Sequence, residues 1–212
     1  MVSLSIIREA IAHDPTEPPP PSPSMAAVAV ALGGRPDALR VCFILRATRR
    51  TDRWSGQMAF PGGKAEPGDA NAEAVAIREA HEEVGLELQH AESLGSLPLV
   101  TMRKLAGPLG VLAPFAFYVG EHLPRLVPNE AEVERAFWVP LDHLWDPRHT
   151  SSIDWEHEGE QWRFPGIRFE SQVIWGLTLR VLVQWSTQLG KALPEAEVQP
   201  VLRGPNDHDP HG

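Results

Sequence analysis

The stretch FPGGKAEPGDANAEAVAIREAHEEVGL, residues 60–86, carries acidic side chains whose spacing could do chemistry. Glu79, Glu82 and Glu83 stand at i, i+3 and i+4, and in a helix these positions share one face. Like charges at this spacing destabilise a helix by a few tenths of a kcal/mol per pair. A hard cation such as Mg²⁺ reverses that sign, because it prefers oxygen ligands and keeps positions for water and phosphates. The spacing indicates a divalent-cation site, with a solvated acidic face as the alternative.

Two glycines, Gly62 and Gly63, lie directly upstream of the acidic stretch. Glycine tolerates positive φ and lets a ligand approach the backbone, so these amides or carbonyls could reach a metal ion or a phosphate. The segment is not a P-loop, because GGKAEPGD lacks the G-K-[ST] ending. Arg78 can pair with Asp69 or Glu82 and brace the acidic group. These residues together favour a cation site that faces a phosphate.

A helix over residues 70–84 must position the acidic side chains. We expect Asp69 as its N-cap and Gly85 as its C-terminal stop. One face of it should pack on a sheet through small and aliphatic residues, namely Ala70, Ala74, Ile77, Ala80 and Val84. Two apolar runs, 25–32 and 40–47, predict strands of that sheet, and their continuous apolar character indicates burial on both faces.

The rest of the chain predicts further elements around this core. Residues 3–12 have helical apolar spacing, and the proline-rich connector 14–24 is excluded from helix and sheet. The second half predicts strands 94–100, 111–119 and 136–139, a short helix 140–145, a hairpin 151–164 turning at Gly159, and a helix 171–189. This mixture of strands and helices indicates an α/β (α+β) domain. We expect an N-terminal segment 1–24, a main domain 25–190, and a disordered tail 191–212.

Composition limits the classes of partner. The chain has 212 residues and a formal net charge of −9, which argues against general binding to nucleic acid or anionic membranes. Its one cysteine, Cys42, excludes an intrachain disulfide and a cysteine-rich zinc site. No apolar run reaches the ~18 residues of a membrane span. We see no signal peptide in the N-terminal residues, so a cytoplasmic location is expected.

The acidic stretch resembles the Nudix box, G-x5-E-x7-R-E-U-x-E-E-x-G-U, where U is a bulky aliphatic residue. The matching residues are Gly63, Arg78, Glu79, Glu82, Glu83, Gly85 and Leu86. There are two departures from the pattern. Asp69 replaces the first Glu and is separated from Arg78 by eight residues rather than seven, and Ala80 replaces a bulky aliphatic residue. Similar departures occur in coenzyme A–type Nudix sequences, and they leave the role of Asp69 open.

This resemblance implies an α/β/α sandwich around a mixed sheet, and hydrolysis of a nucleoside diphosphate linked to another moiety with Mg²⁺ or Mn²⁺. By position, Glu79 and Glu83 would be metal ligands, and Glu82 a further ligand or the base that orients water. The catalytic set implied is then Arg78, Glu82 and Glu83, with the Gly62 carbonyl as another metal ligand. Such enzymes often recruit one more acid, and PNEAEVERAFWVPL offers Glu130, Glu132 and Glu134. We favour Glu132 or Glu130, with solvated surface acids as the alternative.

Upstream, FILRATRRTDRWSGQMAFPGG, residues 43–63, resembles the extra motif of coenzyme A pyrophosphatases. Its later half is kept at Gly56, Gln57, Ala59 and residues 60–63. Its earlier half departs at Leu45, Thr48 and Asp52, with Arg53 one residue beyond the expected arginine. Residues 173–185 are similar to the C-terminal helix of those enzymes, so the resemblance spans roughly residues 25–190.

Arginines cluster just upstream of the glycines in an otherwise acidic chain. They are Arg46, Arg49, Arg50 and Arg53. Arginine binds phosphate in a bidentate manner, and coenzyme A carries a 3′-phosphate besides its pyrophosphate. We therefore expect this cluster, with Gly63 and Lys64, to bind substrate; a solvated basic loop is the alternative.

The leading hypothesis is a Mg²⁺- or Mn²⁺-dependent pyrophosphohydrolase that cleaves coenzyme A to 4′-phosphopantetheine and 3′,5′-ADP. A second hypothesis keeps the chemistry and changes the substrate to an NDP-sugar, ADP-ribose, a dinucleoside polyphosphate or a nucleoside triphosphate. A third is a Nudix-fold sensor that binds a nucleotide without hydrolysis. The expected partner in each case is a small molecule that contains a nucleotide; a homodimer is left open.

Overall fold

The computed structural model describes residues 1–18, 20–48, 55–102, 110–157, 160–194 and 199–200. Its α-helices are α1 Leu4–His13, α2 Ala72–Val84 and α3 Gly176–Gln188. Short 3₁₀ helices cover Leu88–His90, Leu141–Trp145 and Pro147–His149. The predicted N-terminal helix is confirmed as α1, which buries Leu4, Ile7 and Ile11. In the described part of the chain, no helix is both long enough and apolar enough to cross a membrane.

The strands form two sheets. In chain order they are β1 Met25–Gly33, β2 Arg40–Arg46, β3 Met58–Ala59, β4 Gly62–Lys64, β5 Glu92–Ser96, β6 Val100–Met102, β7 Gly110–Tyr118, β8 Val133–Pro140, β9 Thr150–His157, β10 Glu160–Phe169, β11 Gln172–Trp175 and β12 Gln199–Pro200. The larger, eight-stranded sheet has the order β3-β2-β1-β7-β5, with β4 on β1, β6 on β7 and β8 on β2. It is mixed, because β1 and β7 are parallel and β1 and β2 antiparallel. The smaller, antiparallel sheet joins β9, β11 and β12 to β10.

The strands β1 and β2 are paired at only one end. Leu32 and Gly33 of β1 pair with β2, whereas its residues 26–28 pair with β4. The chain crosses the gap between them, since β3 lies on β2 and the following β4 lies on β1. The two glycines Gly62 and Gly63 are therefore held as strand residues within the sheet, in contact with α2.

The two faces of β1 carry side chains of different size. Ala27, Ala29 and Ala31 face α2, and their small side chains let the helix lie close to the sheet. Val30 and Leu32 face the other side, where α1 and α3 pack. Helices on both faces of a mixed sheet form the predicted α/β/α sandwich. The predicted burial of β1 on both faces is also confirmed.

The acidic helix begins later than predicted. Its N-cap is Asn71, whose side chain accepts the Ala74 N–H at 2.8 Å. The prediction that Asp69 is the N-cap is therefore wrong, because the Asp69 carboxylate instead accepts the Glu66 N–H at 2.7 Å. The predicted stop at Gly85 is confirmed, and its φ of 70° is the left-handed conformation that ends many helices.

The packed face of α2 is also shifted. Its buried apolar residues are Ala72, Val75, Ala76, Ala80 and Val84. Ala80 and Val84 were predicted there, but Ala70 is exposed, and Ala74 and Ile77 are only partly buried. The later start of the helix accounts for part of this shift, since Ala70 precedes the first helical turn.

In the second half of the chain, two predicted elements each form two separate elements in the structure. The expected helix 171–189 is a strand, β11, which pairs with β10, followed by α3 from Gly176, whose φ of 63° turns the chain. The expected strand 94–100 is β5 followed by β6, and between them the Leu97 N–H donates to the Pro114 carbonyl. The predicted hairpin is confirmed as β9–β10. Its Gly159 and most of the predicted tail lie outside the described residues, and the division into three segments stays a prediction.

Candidate active site

Glu83 lies where α2 meets β4, and its side chain is almost completely buried. Only 3% of the side chain is exposed. One carboxylate oxygen, Oε2, accepts the Gly62 N–H at 2.8 Å. The other, Oε1, lies 4.0 Å from Nη1 of Arg46. The backbone of the glycine strand therefore orients this carboxylate through its amide; a metal-binding role for the Gly62 carbonyl stays a prediction.

The glycines of β4 are required by close approach rather than by backbone conformation. Neither Gly62 nor Gly63 has a positive φ, so the freedom of glycine to adopt that conformation is not used here. A Cβ on Gly63 would collide with the Glu79 carboxylate, and one on Gly62 would collide with the Ala27 carbonyl and the Val28 side chain. A side chain at position 63 would push the Glu79 carboxylate aside, and one at position 62 would displace the backbone of β1.

Arg78 joins the acidic helix to the loop that precedes it. Its Nε donates to Asp69 Oδ1 at 3.1 Å, and its Nη1 donates to Glu79 Oε1 at 3.0 Å and to Glu82 Oε2 at 2.9 Å. Its Nη2 donates to the Lys64 carbonyl at 3.1 Å. The Arg78 hydrogen bond holds the pKa of Asp69 below its usual value. The role left open for Asp69 is thus structural in this fold: it anchors Arg78, and the predicted bracing by Arg78 is confirmed.

The carboxylates differ in burial and in charge balance. Burial raises the pKa of Glu83 to about 8, and the nearby charges of Glu79 and Glu132 act in the same direction. The Gly62 N–H and the Arg46 guanidinium oppose this rise without cancelling it. Burial also raises the pKa of Glu79. The Glu82 side chain is 51% exposed, so the costly negative charge lies on Glu79 and Glu83.

This donor set fits a hard divalent cation. Buried carboxylates with raised pKa values are stabilised as anions when a cation lies beside them. Among the described residues, no three acidic, histidine or cysteine side chains are already arranged to hold a metal ion. Two arginine side chains lie beside the carboxylates instead: Arg78 donates a hydrogen bond to Glu79, and Arg46 lies beside Glu83.

The loop before β8 brings one candidate acid to the same place. The Val127 and Asn129 N–H groups donate to the carbonyls of Val84 and Glu83, both at 2.9 Å, which ties this loop to the C-terminus of α2. The Glu132 carbonyl accepts the Ala47 N–H at 2.8 Å, beyond the end of β2. The charge of Glu132 acts on both Glu79 and Glu83. Glu130 and Glu132 are both exposed residues of this loop, so it is the charge of Glu132 acting on Glu79 and Glu83 that gives Glu132 the better support.

The structure describes some of the predicted substrate-binding residues and not others. Arg46 lies at the end of β2 beside the carboxylates. Lys64 has an exposed side chain and presents its carbonyl to Arg78. The remaining arginines of the cluster, Arg49, Arg50 and Arg53, lie outside the described residues. Their substrate-binding roles stay predictions.

Sequence reasoning missed two backbone anchors of the site. One is Asn71, which caps α2, although its place three residues before Ala74 matches the N-cap pattern. The other is Asn129, whose N–H binds the Glu83 carbonyl from a distant loop. No local signal identifies this second contact, because it depends on tertiary packing.

Comparison with known proteins agrees with this geometry. The family described as NUDIX domain matches residues 23–165. The human protein "Mitochondrial coenzyme A diphosphatase NUDT8" is 33% identical over 181 residues, which are 84% of this chain and 73% of that protein. "Uncharacterized Nudix hydrolase NudL" from Yersinia pestis (strain Pestoides F) is 32% identical over 167 residues, 77% of this chain and 79% of that protein.

A solved structure supports the fold alone. The crystal structure of a MutT/nudix family protein from Enterococcus faecalis is 18% identical and covers 89% of this chain and 70% of that chain, with a TM-score of 0.51. The family match covers more than half of the sequence and contains the glycine strand, the acidic helix and Arg78. The chain belongs to the Nudix hydrolase family.

Proposed function

We propose that the chain hydrolyses the pyrophosphate bond of coenzyme A or its derivatives, with Mg²⁺ or Mn²⁺, to 4′-phosphopantetheine and 3′,5′-ADP. The observation that carries the metal-dependent chemistry is the pair formed by the buried Glu83 and the partly buried Glu79 beside the glycine strand, called the buried pair below. Nudix hydrolases generally need divalent metal ions and act on nucleotide diphosphates. A buried anionic pair with raised pKa values is the kind of site where such an ion binds.

The role proposed for each residue follows from its position in the site. Glu79 and Glu83 would hold the metal, with Glu132 as a further ligand from the opposite loop. A bound divalent cation lowers the pKa of water and neutralises charge on the phosphates. Glu82 is half-exposed, and its Oε2 accepts from Arg78, so we assign Oε1 the role of orienting water or accepting its proton. Gly63, which has no side chain, leaves the space that Glu79 occupies.

The proposal that coenzyme A is the substrate rests on sequence similarity and not on the carboxylates that would bind the metal. The relative with 33% identity is named as a coenzyme A diphosphatase. The kept half of the coenzyme A motif also contacts Arg46, since the Arg46 N–H donates to the Gln57 carbonyl and the Gly56 N–H donates to the Arg46 carbonyl. An arginine held beside the metal-binding carboxylates suits a substrate that carries several phosphates.

A substrate screen tests this proposal. The purified chain is assayed with Mg²⁺ and with Mn²⁺ against coenzyme A, ADP-ribose, an NDP-sugar, a dinucleoside tetraphosphate and a nucleoside triphosphate. We expect coenzyme A to rank first in kcat/KM, with 3′,5′-ADP as a product by mass spectrometry. Activity should be lost with EDTA and restored by the metal, and Glu83→Gln should be almost inactive.

Three outcomes contradict parts of the proposal. If another diphosphate ranks first, the hydrolase chemistry stands and the coenzyme A assignment is wrong. If the nucleotides bind in a metal-dependent manner without product formation, the chain is a sensor. If the wild-type chain and Glu83→Gln show the same negligible turnover, the hydrolase proposal fails. A cytoplasmic location and a homodimer stay predictions.

A further inference from the structure

Arg46 is held in place by its backbone at the end of β2. Its N–H donates to the Gln57 carbonyl at 3.1 Å, and its carbonyl accepts the Gly56 N–H at 3.0 Å. The register between β2 and β8 shifts between Leu45 and Arg46, which is the signature of a β-bulge. The extra residue of this bulge, Glu134, lies on β8, and Arg46 is the last residue of β2. The Arg46 guanidinium lies beside Glu83 of α2.

An almost completely buried carboxylate, that of Glu83, lies at ion-pair distance from Arg46. Its Nη1 lies 4.0 Å from Glu83 Oε1, and its side chain is 32% exposed, whereas that of Glu83 is 3% exposed. The charges of Glu79 and Glu132 act on the same carboxylate. Arg78, the other nearby cation, is engaged with Asp69, Glu79 and Glu82. Within the described residues, Arg46 is therefore the cation at ion-pair distance from Glu83.

We propose that Arg46 is a built-in counter-ion of Glu83, which competes with the divalent cation and turns to the anionic substrate when that cation binds. This inference rests on the proposed metal-dependent function. Before metal binding, the guanidinium partly balances the buried carboxylate. A divalent cation on Glu83 repels it, because two positive centres this close raise each other's energy. A side chain that is one-third exposed has room to move toward substrate phosphates, which arginine binds well.

The test measures metal binding without any turnover. Mn²⁺ is titrated into the metal-free protein, without substrate, by isothermal calorimetry and by loss of the free Mn²⁺ signal in electron paramagnetic resonance. We expect Arg46→Gln to bind Mn²⁺ about three- to tenfold more tightly than the wild type, because a competing positive charge is gone. Affinity for 3′,5′-ADP in the presence of Mn²⁺ should change in the opposite direction.

Two further variants separate charge from folding. Arg46→Lys keeps the positive charge and should bind Mn²⁺ within about twofold of the wild type. Arg135→Gln is the matched control, because Arg135 lies on the neighbouring strand β8 and is paired with Glu170 at 3.0 Å, with a half-exposed side chain. It should leave both affinities unchanged. Far-ultraviolet circular dichroism and melting curves establish that each variant is folded.

The outcomes distinguish the inference from the function on which it rests. If the wild type binds Mn²⁺ and hydrolyses a diphosphate, but Arg46→Gln binds Mn²⁺ equally or more weakly, Arg46 does not compete with the metal. The same conclusion follows if Arg135→Gln tightens Mn²⁺ binding as much as Arg46→Gln does. If the wild-type chain binds no Mn²⁺ at all, the metal-dependent function fails, and this inference with it.

Discussion

Two sets of carboxylates on or beside one helix differ in their charge partners. The Arg78 cluster, made of Arg78, Asp69 and Glu82, is held together by direct hydrogen bonds from one guanidinium, and its acidic side chains range from 7% exposed at Asp69 to 51% at Glu82. The buried pair, Glu79 and Glu83, lies under the glycine strand, where burial raises the pKa of both side chains. Glu79 connects the two sets, since it also accepts from Arg78.

This difference shows how the same residue type acquires two roles within one turn of helix. A carboxylate that meets an arginine contributes to structure, and its pKa is lowered as that of Asp69 is. A carboxylate that is buried with too little positive charge destabilises the fold until a cation binds. The buried pair therefore carries negative charge that is costly to the fold, and this is where the proposed cation would bind.

The largest expected effect is on turnover. Glu83→Gln should lower kcat/KM by at least about 10³-fold, because it removes a charged ligand from the buried pair. Glu82→Gln should cost less, about 10- to 100-fold, since the half-exposed Glu82 is at most a base or an outer ligand. Steady-state kinetics with Mg²⁺ measure both. Equal losses of kcat/KM for the two variants would mean that the buried pair contributes no more to turnover than the Arg78 cluster does.

The next effect concerns stability without metal. The folded-state pKa of Glu83, about 8, lies above the ordinary 4.5, so the folded state binds more protons than the unfolded state between these values. The contribution of Glu83 to stability is therefore present at low pH and is lost as pH rises from 4.5 through about 8. Glu83→Gln should be more stable than the wild type at pH 9 in EDTA, by about 2–4 kcal/mol.

Urea unfolding at pH 5 and pH 9 in EDTA measures this gain. The difference between the variant and the wild type should be larger at pH 9 than at pH 5. Added Mn²⁺ should stabilise the wild type and have little effect on the variant. A difference between the two proteins that does not change with pH would mean that Glu83 is not a costly buried charge.

The smallest effect tests the Arg78 cluster. Arg78→Gln should lower the free energy of unfolding by about 1–3 kcal/mol, because it leaves Asp69 and Glu79 without their cation in a partly buried place. The control Arg163→Gln removes a guanidinium whose partner, Asp154, is half-exposed, and should cost less than about 1 kcal/mol. Urea unfolding at pH 7 compares them; equal losses would make the cluster an ordinary surface pair.

Much of the fold follows from local patterns. The continuous apolar runs predicted β1 and β2, and the apolar residues of α1 appear at helical spacing. One prediction failed where two periodicities meet: the apolar run before Gly176 forms a strand, although it continues smoothly into a helical pattern. Propensity does not separate the two, because pairing with β10 decides the outcome.

The sequence by itself determined which residues form the acidic group, where the helix that carries them ends, and which family the chain resembles. These features depend on residue type and spacing along one continuous segment. Only the tertiary structure decided that Asp69 anchors Arg78 rather than capping α2, and that Glu83 is buried while Glu82 is not. Burial and charge balance depend on β4 and on Arg46, which meet α2 only when the sheet forms.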